Sequence, residues 1–421
     1  MGKSKCSSEA RQIRRSLAGP MPSLHPVVLF SGSLAGDGVA RNTVHLANAL
    51  ARRGAPVEVV CLKGGALAAD LRGPPVTCLG RGVGPRGLAL AAAVPALHAR
   101  LKALGPSVVV SMGNHAHLAV WAALRGLPDT PRIYRISNDP AHHGRDRLRG
   151  GLRELGLRLI AADATRVLCV SAAIAAREPF RRARRDRRVD ILPNGVDAVA
   201  VRARAAGPVR HPWLEDGKPF LVAVGRLHRQ KNYEALIDAL ALARTEVPGL
   251  RLLVLGAAPP DRRAALEGQA RARGLSGAIR FEGEVANPFP LVRRAAAYVL
   301  PSLWEGASNS LLEALACGVP VVASRIAGNA PEVLAGGRYG ALADPTDPAD
   351  LARAITAQVR VETRVAAGDR VQAFGLDAVT DRLCRIVANA RSEHDEIQMQ
   401  PEGAGHLRPL SGGLRGTNTE Y

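Results

Sequence analysis

The chain has 421 residues, 47% hydrophobic and 22% charged, enough to bury the cores of two ordinary globular domains. No apolar run is long enough to span a bilayer, and the basic first 24 residues lack the hydrophobic stretch of a secretory signal, so a cytoplasmic protein is expected. The net charge of +20 lies entirely in residues 1–210, which hold 33 Lys+Arg against 13 Asp+Glu, while the remainder carries 24 of each.

After the N-terminal extension (1–24), "HPVVLFSGS" reads as a buried strand. It is followed by the helical pattern "VARNTVHLANALARRG", closed by Gly54, and by the strand "APVEVVCL". This βαβ beginning continues through the strands "PSVVVSMG", "RIYRIS", "ATRVLCVS" and "VDILPNG", with helical segments such as "HLAVWAALRG" between some of them. Val/Ile/Leu-rich strands joined by helices predict a parallel sheet covered on both faces. A stretch without clear periodicity, "AVRARAAGPVRHPWLEDGKP", separates this domain (25–200) from a second α/β domain (201–371). There the strands are "FLVAVGRL", "LRLLVLGA", "IRFEGEV", "AAAYVLPS", "PVVASR" and "GALADP". The polar, Gly-rich tail (393–421) is expected to be disordered. The fold class is therefore α/β, with two doubly wound parallel-sheet domains facing a central cleft, and ligands expected outside the carboxyl ends of the strands.

Three loops at those strand ends carry candidate chemistry. In "GSLAGDGVARNTV", Gly36 and Gly38 bracket the turn into the first helix and would let a ligand approach backbone amides. The loop is not a GxGxxG, since Arg41 stands where the third glycine belongs, and an ordinary flexible loop explains it equally well. In "GRLHRQKN", Arg226 follows a strand end and Lys231 opens a helix, where a cation opposes the helix dipole by about 0.3–1 kcal/mol. A bound phosphate would offset that cost; two solvated basic side chains near Glu234 are the bland alternative. In "LWEGASNSLLEALACGVPVVAS", Ser310 with Glu313 fits a capping box, so local structure accounts for Glu313, whereas Glu305 sits at a strand end where a ligand contact is the more natural role.

The six cysteines are scattered with no CxxC pair and read as free, mostly buried thiols, neither a zinc site nor a disulfide framework. The basic excess, densest in "RRARRDRR", would suit anionic lipid, an acidic acceptor or nucleic acid, or would be a solvated arginine face. With 3% aromatic residues, nucleic acid is the weakest of these and no such partner is expected.

Together, "EGASNSLLE" (an E-x7-E spacing), "ILPNGVD", "VAVGRLHRQKNYEALIDAL" and "IRFEGEV", in this order over residues 26–390, resemble the retaining glycosyltransferases of the GT-B fold known as glycosyl transferases group one. The resemblance implies that Arg226 and Lys231 grip the diphosphate of a nucleotide-sugar donor. Glu313 would bind its ribose, the amides of Asn309, Ser310 and Leu311 its phosphate, and Glu305 the sugar hydroxyls. The base would rest near Val285. It further implies a histidine of the first domain near the transferred sugar, for which "GNHAH" offers both His115 and His117, His115 being favoured, and a final helix at about 372–390 that crosses back onto the first domain; "RISNDPAHH" departs from the family's patterns, and Asn138 within it is a candidate acceptor contact. No DxD occurs, so neither a metal nor any other cofactor is expected. The basic first half would suit a glycan or lipid-linked acceptor in envelope polysaccharide or glycoconjugate synthesis, with the protein peripheral on an anionic membrane surface. A non-catalytic glycan- or nucleotide-binding protein of the same fold is the competing reading.

Overall fold

The computed structural model describes residues 25–80, 85–140, 147–361 and 367–398. The N-terminal extension and most of the tail expected to be disordered lie outside them. The first domain holds β1 (Val27–Ser33), β2 (Val57–Lys63), β3 (Val76–Cys78), β4 (Val108–Ser111), β5 (Arg132–Ile136), β6 (Arg166–Cys169) and β7 (Val189–Ile191), in the order β3-β2-β1-β4-β5-β6-β7. The second holds β8 (Phe220–Val224), β9 (Arg251–Leu255), β10 (Ile279–Gly283), β11 (Ala297–Leu300), β12 (Val321–Ser324) and β13 (Ala341–Ala343), in the order β10-β9-β8-β11-β12-β13. Every paired strand is parallel. Each sheet reverses its order beside its first strand, which opens a crevice at the carboxyl ends of β1 and β4, and of β8 and β11.

Burial follows from the strand sequences. Val27–Phe30 and Val108–Val110 are almost wholly buried because helices cover both sheet faces. One face of the first sheet packs under the helix Gly38–Arg52 and also receives Val379, Leu383, Ile386, Val387 and Ala390 from the last helix. That helix spans Leu376–Gln398, longer than the expected 372–390, so residues 393–398, predicted to belong to a disordered tail, are helical. Its apolar stripe on the first sheet holds it, and Arg53 anchors it by ion pairs to Asp377 (3.3 Å) and Asp381 (2.8 Å).

The two chain crossings run side by side: Val196 N–H donates to Phe374 O, and Leu376 N–H to Val196 O. Part of the stretch read as patternless is the helix Ala198–Ala205, whose Val201 and Ala205 enter the second domain's core together with Val196. Val196, Val201 and Ala205 thus pack into the second domain, next to the expected boundary at 200/201. Among the described residues no helix is long and apolar enough to cross a membrane.

Candidate functional site

Glu305 follows the end of β11 and is 8% exposed. Its Oε1 accepts hydrogen bonds from Lys231 Nζ (2.6 Å) and Ser302 Oγ (2.8 Å). Lys231 is positioned by the turn before it: Gln230 Nε2 donates to Trp304 O (2.8 Å) and Leu303 N–H to Gln230 O (2.9 Å). Asn232, in the left-handed region at φ 53°, donates its amide to Pro301 O (3.1 Å) and Pro345 O (2.7 Å). The solvated reading of Lys231 therefore fails. Its helix begins only at Tyr233, after a 3-10 turn Arg229–Lys231, and Glu234 is taken by Arg262. Arg226 is exposed at the end of β8. Beneath it the backbones of β8 and β9 meet closely, for a Cβ on Gly256 would lie 2.1 Å from Gly225 O.

The helix Asn309–Cys317 is capped by Ser308, whose Oγ accepts the Leu311 N–H (3.3 Å). This corrects the expected Ser310 cap. Ser308 has the extended backbone of a cap, and Ser310, already inside the helix, takes its hydrogen bond from the Tyr298 hydroxyl (2.7 Å). The Leu311 amide is thereby occupied, and the first-turn amides left for an anion are those of Asn309 and Ser310.

Glu313 points to the domain interface, where Arg41 of the first domain donates to its Oε1 (3.1 Å). Burial holds its carboxyl above the usual range, with Arg41 acting in the opposite direction. Arg41 thus occupies the missing-glycine position as an interdomain ion-pair partner. The glycine loop before it is capped by its own residue, since Asp37 accepts the Ala40 N–H (2.8 Å). Asp37 puts a carboxylate where an anion would otherwise sit. Gly36 takes φ 112°, and a Cβ on Gly38 would lie 3.6 Å from Asn309 Nδ2, within ordinary contact of the second domain. Val285 is half-buried against the second domain's core.

Sequence reasoning missed the residues that join the halves. Arg135 on β5 is 1% exposed, and its guanidinium donates to Asn194 Oδ1 (2.7 Å). Asn194, from "ILPNGVD", donates in turn to Ala307 O (3.0 Å) and Asn309 Oδ1 (2.6 Å). Burial lowers the Arg135 pKa to about 10. Gly306 lies against Ser137 and Asn138, where an added Cβ would sit 2.2 Å from Ser137 O. Asn138 is exposed there, next in space to the Glu305–Gly306 turn. The only available signals for these contacts were a glycine after Glu305 and an asparagine in a quoted motif.

The two candidate histidines separate. His117 is buried, bonded through Nδ1 to Ser111 Oγ (2.8 Å) and edge-on to Tyr134, and burial lowers its pKa to about 3. His115 is exposed at the carboxyl end of β4.

Comparison with known proteins identifies the family. Residues 37–195 match the "Glycosyl transferase 4-like domain" and residues 218–360 match "Glycosyl transferases group 1". The chain is 31% identical over 304 residues to a D-inositol 3-phosphate glycosyltransferase of Thermomonospora curvata, covering 68% of this chain and 67% of that one. It is 31% identical over 178 residues to the lipopolysaccharide core biosynthesis glycosyltransferase LpsE of Rhizobium meliloti, covering 41% of this chain and 50% of that one. Against two other relatives of the first kind, from Arthrobacter and Pseudarthrobacter chlorophenolicus, it spans 50% and 55% of their length. Among solved structures, Anabaena HepE in complex with UDP and glucose superposes with a TM-score of 0.70 at 20% identity, over 87% of this chain and all of that one. Sucrose-phosphate synthase from Thermosynechococcus elongatus gives 0.69 at 22% identity, over 88% and 100%. The chain has the GT-B fold and belongs to the group 1 glycosyl transferase family.

Proposed function

We propose that the protein transfers a sugar, with retention of anomeric configuration and without a metal, from a nucleotide-diphosphate sugar to a glycan or lipid-linked acceptor in envelope polysaccharide or glycoconjugate synthesis. The observation that carries the reading is the buried Lys231–Glu305–Ser302 cluster beside a helix N-terminus. A sugar diphosphate brings to such a site an anion for the cation and hydroxyls for the carboxylate. In this reading Arg226 and Lys231 stabilise the departing diphosphate together with the Asn309 and Ser310 amides, and Glu313 accepts from the ribose. Glu305 orients the sugar hydroxyls, and His115 and Asn138 approach from the acceptor side. The lipopolysaccharide-core function of the Rhizobium relative supports an envelope acceptor.

A peripheral position on an anionic membrane is part of the same proposal, and it has its own support. Leu152, Leu155 and Leu159, at helical spacing on Arg147–Asp163, are 71%, 64% and 39% exposed. That helix packs against Arg181–Arg185, where the side chains of Arg181, Arg182 and Arg185 are 78–80% exposed. Exposed apolar side chains on a helix packed against an arginine-bearing one suit the headgroup boundary. Flotation with no preference for anionic over zwitterionic vesicles would remove this part.

The donor is tested by thermal shift with UDP, GDP, ADP and their sugar conjugates, since a ligand of the folded state raises its melting temperature. A selective shift names the donor, and no shift with any nucleotide defeats the transferase reading. Glu305→Gln should then suppress transfer more than nucleotide binding; a fully active variant removes Glu305 from the site.

A further inference from the structure

Cys61 and Cys78 are direct neighbours across the parallel pair β2–β3. Their Sγ atoms lie 3.1 Å apart, with Cys61 wholly buried and Cys78 exposed. β3 is a three-residue strand at the edge of the sheet, paired only through β2. Neighbouring strands run about 4.8 Å apart, within the Cα separation of roughly 4.4–6.8 Å that a disulfide bridges. A bond of about 2.05 Å asks the two sulfurs to approach by roughly 1 Å, a movement that a short edge strand can make.

We propose that Cys61 and Cys78 form a reversible two-electron redox site, oxidised to an intramolecular disulfide by a low-molecular-weight disulfide such as oxidised glutathione. The Cys78 thiolate attacks one glutathione sulfur, so a Cys78–glutathione bond forms, the original S–S bond breaks and one glutathione thiolate leaves. Cys61 then attacks Cys78 Sγ as its proton passes to the departing glutathione sulfur, forming the protein disulfide and releasing the second glutathione as its thiol. The protein loses two electrons and two protons, and one oxidised glutathione becomes two reduced ones. Burial pushes the Cys61 thiol up to about 12, which makes the second step the slow one at neutral pH and faster as pH rises.

The location gives the modification a route to the interdomain cleft. A Cβ on Gly64 would lie 3.4 Å from Cys78 Sγ, and one on Gly65 2.4 Å from Leu34 O, at the start of the loop that leads to Asp37 and Arg41. Leu34 N–H also donates to Lys63 O (3.1 Å), at the end of the Cys61 strand.

The test incubates the full chain with oxidised glutathione at pH 8 and follows intact mass and non-reduced peptide maps. The expected course is a transient glutathione adduct on Cys78, then loss of about 2 Da with a Cys61–Cys78 linked peptide, reversed by dithiothreitol. Cys61→Ser should hold the adduct on Cys78, and Cys78→Ser, at an exposed position, should abolish both products. A persistent adduct on Cys78 in the unmodified sequence, no reaction there, or a disulfide joining other cysteines would overturn the assignment.

Discussion

Gly306→Ala tests whether the juxtaposition of the two domains is the working arrangement. Gly306 is not one of the glycines at positive φ, so the nearest obstruction to an added methyl group is steric contact rather than backbone strain. The obstruction comes from the other domain: the new Cβ would stand 2.2 Å from Ser137 O and 2.8 Å from Asn138 Cα. Ordinary contact requires the interface to open by roughly 1 Å, and a misplacement of that size can cost about 10²-fold in rate. Arg226, Lys231, Glu305 and Glu313 all lie in the second domain and keep their mutual geometry. The expected result is a transfer rate lower by about two orders of magnitude. Stability should fall by about 1–3 kcal/mol, because the obstructing atoms are backbone, with the nucleotide dissociation constant changed by less than about threefold. Chemical denaturation, nucleotide titration calorimetry and turnover of the donor identified by thermal shift measure the three quantities. Parental turnover in Gly306→Ala would show that catalysis does not use this close approach.

Lys231→Ala should weaken nucleotide binding more than tenfold, about 1.4 kcal/mol, and should also destabilise the protein by about 1–3 kcal/mol because Glu305 is left buried without its cation. Adding Glu305→Gln should restore stability but not binding, and recovery of binding by the double variant would refute the diphosphate role. Glu313→Gln removes a carboxylate whose folded pKa is raised by burial, an ionisation cost that grows as pH rises above the ordinary glutamate value. The variant should melt higher than the parent at pH 7.5, with the gap closing at low pH, while its affinity for nucleotide falls; equal melting at both pH values would contradict the burial argument. For His117, a folded pKa of about 3 against 6.5 means a contribution that is present above 6.5 and lost as pH falls toward 3. Between pH 7.5 and 5 the parent should lose about 2 kcal/mol more than His117→Asn, measured by urea unfolding, and parallel losses would refute it.

What the sequence reveals here is whatever is encoded within one element. The strand-helix alternation is legible because Val-rich runs and helical periodicity are local, and Glu305 stands out because nothing near it in sequence explains it. The same locality misplaces the cap. "ASNSLLE" offers two serines, and the Glu three residues after Ser310 favours that one, but the helix starts where the backbone leaves extended geometry, at Ser308, and Tyr298 from β11 claims Ser310. Ala198–Ala205 escapes notice because alternating valines, alanines and arginines make no apolar stripe. It is helical through packing on the helices Phe289–Arg294 and Asn309–Cys317. Arg135 and Asn194 are further out of reach, since 59 residues separate them and Asn194 meets Asn309 across another 115.

Electrostatics connects those long-range contacts to the proposed donor site. Lys231 is paired with Glu305 within the second domain, and Glu313 with Arg41 across the interface. The two pairs answer a donor differently. A lysine ammonium carries three donors, so Lys231 can turn one toward phosphate and keep its bond to Glu305. Glu313 instead offers oxygens that ribose hydroxyls and the Arg41 guanidinium would both seek. On the proposed reading, ribose at Glu313 would bear directly on a contact that holds the first domain to the second, while the diphosphate end would leave the local pair intact. A nucleotide lacking its ribose hydroxyls would still find the clamp but would leave Arg41–Glu313 undisturbed. On the proposed reading, the interdomain consequence of donor binding would reside at Glu313, and the charge recognition at Arg226 and Lys231.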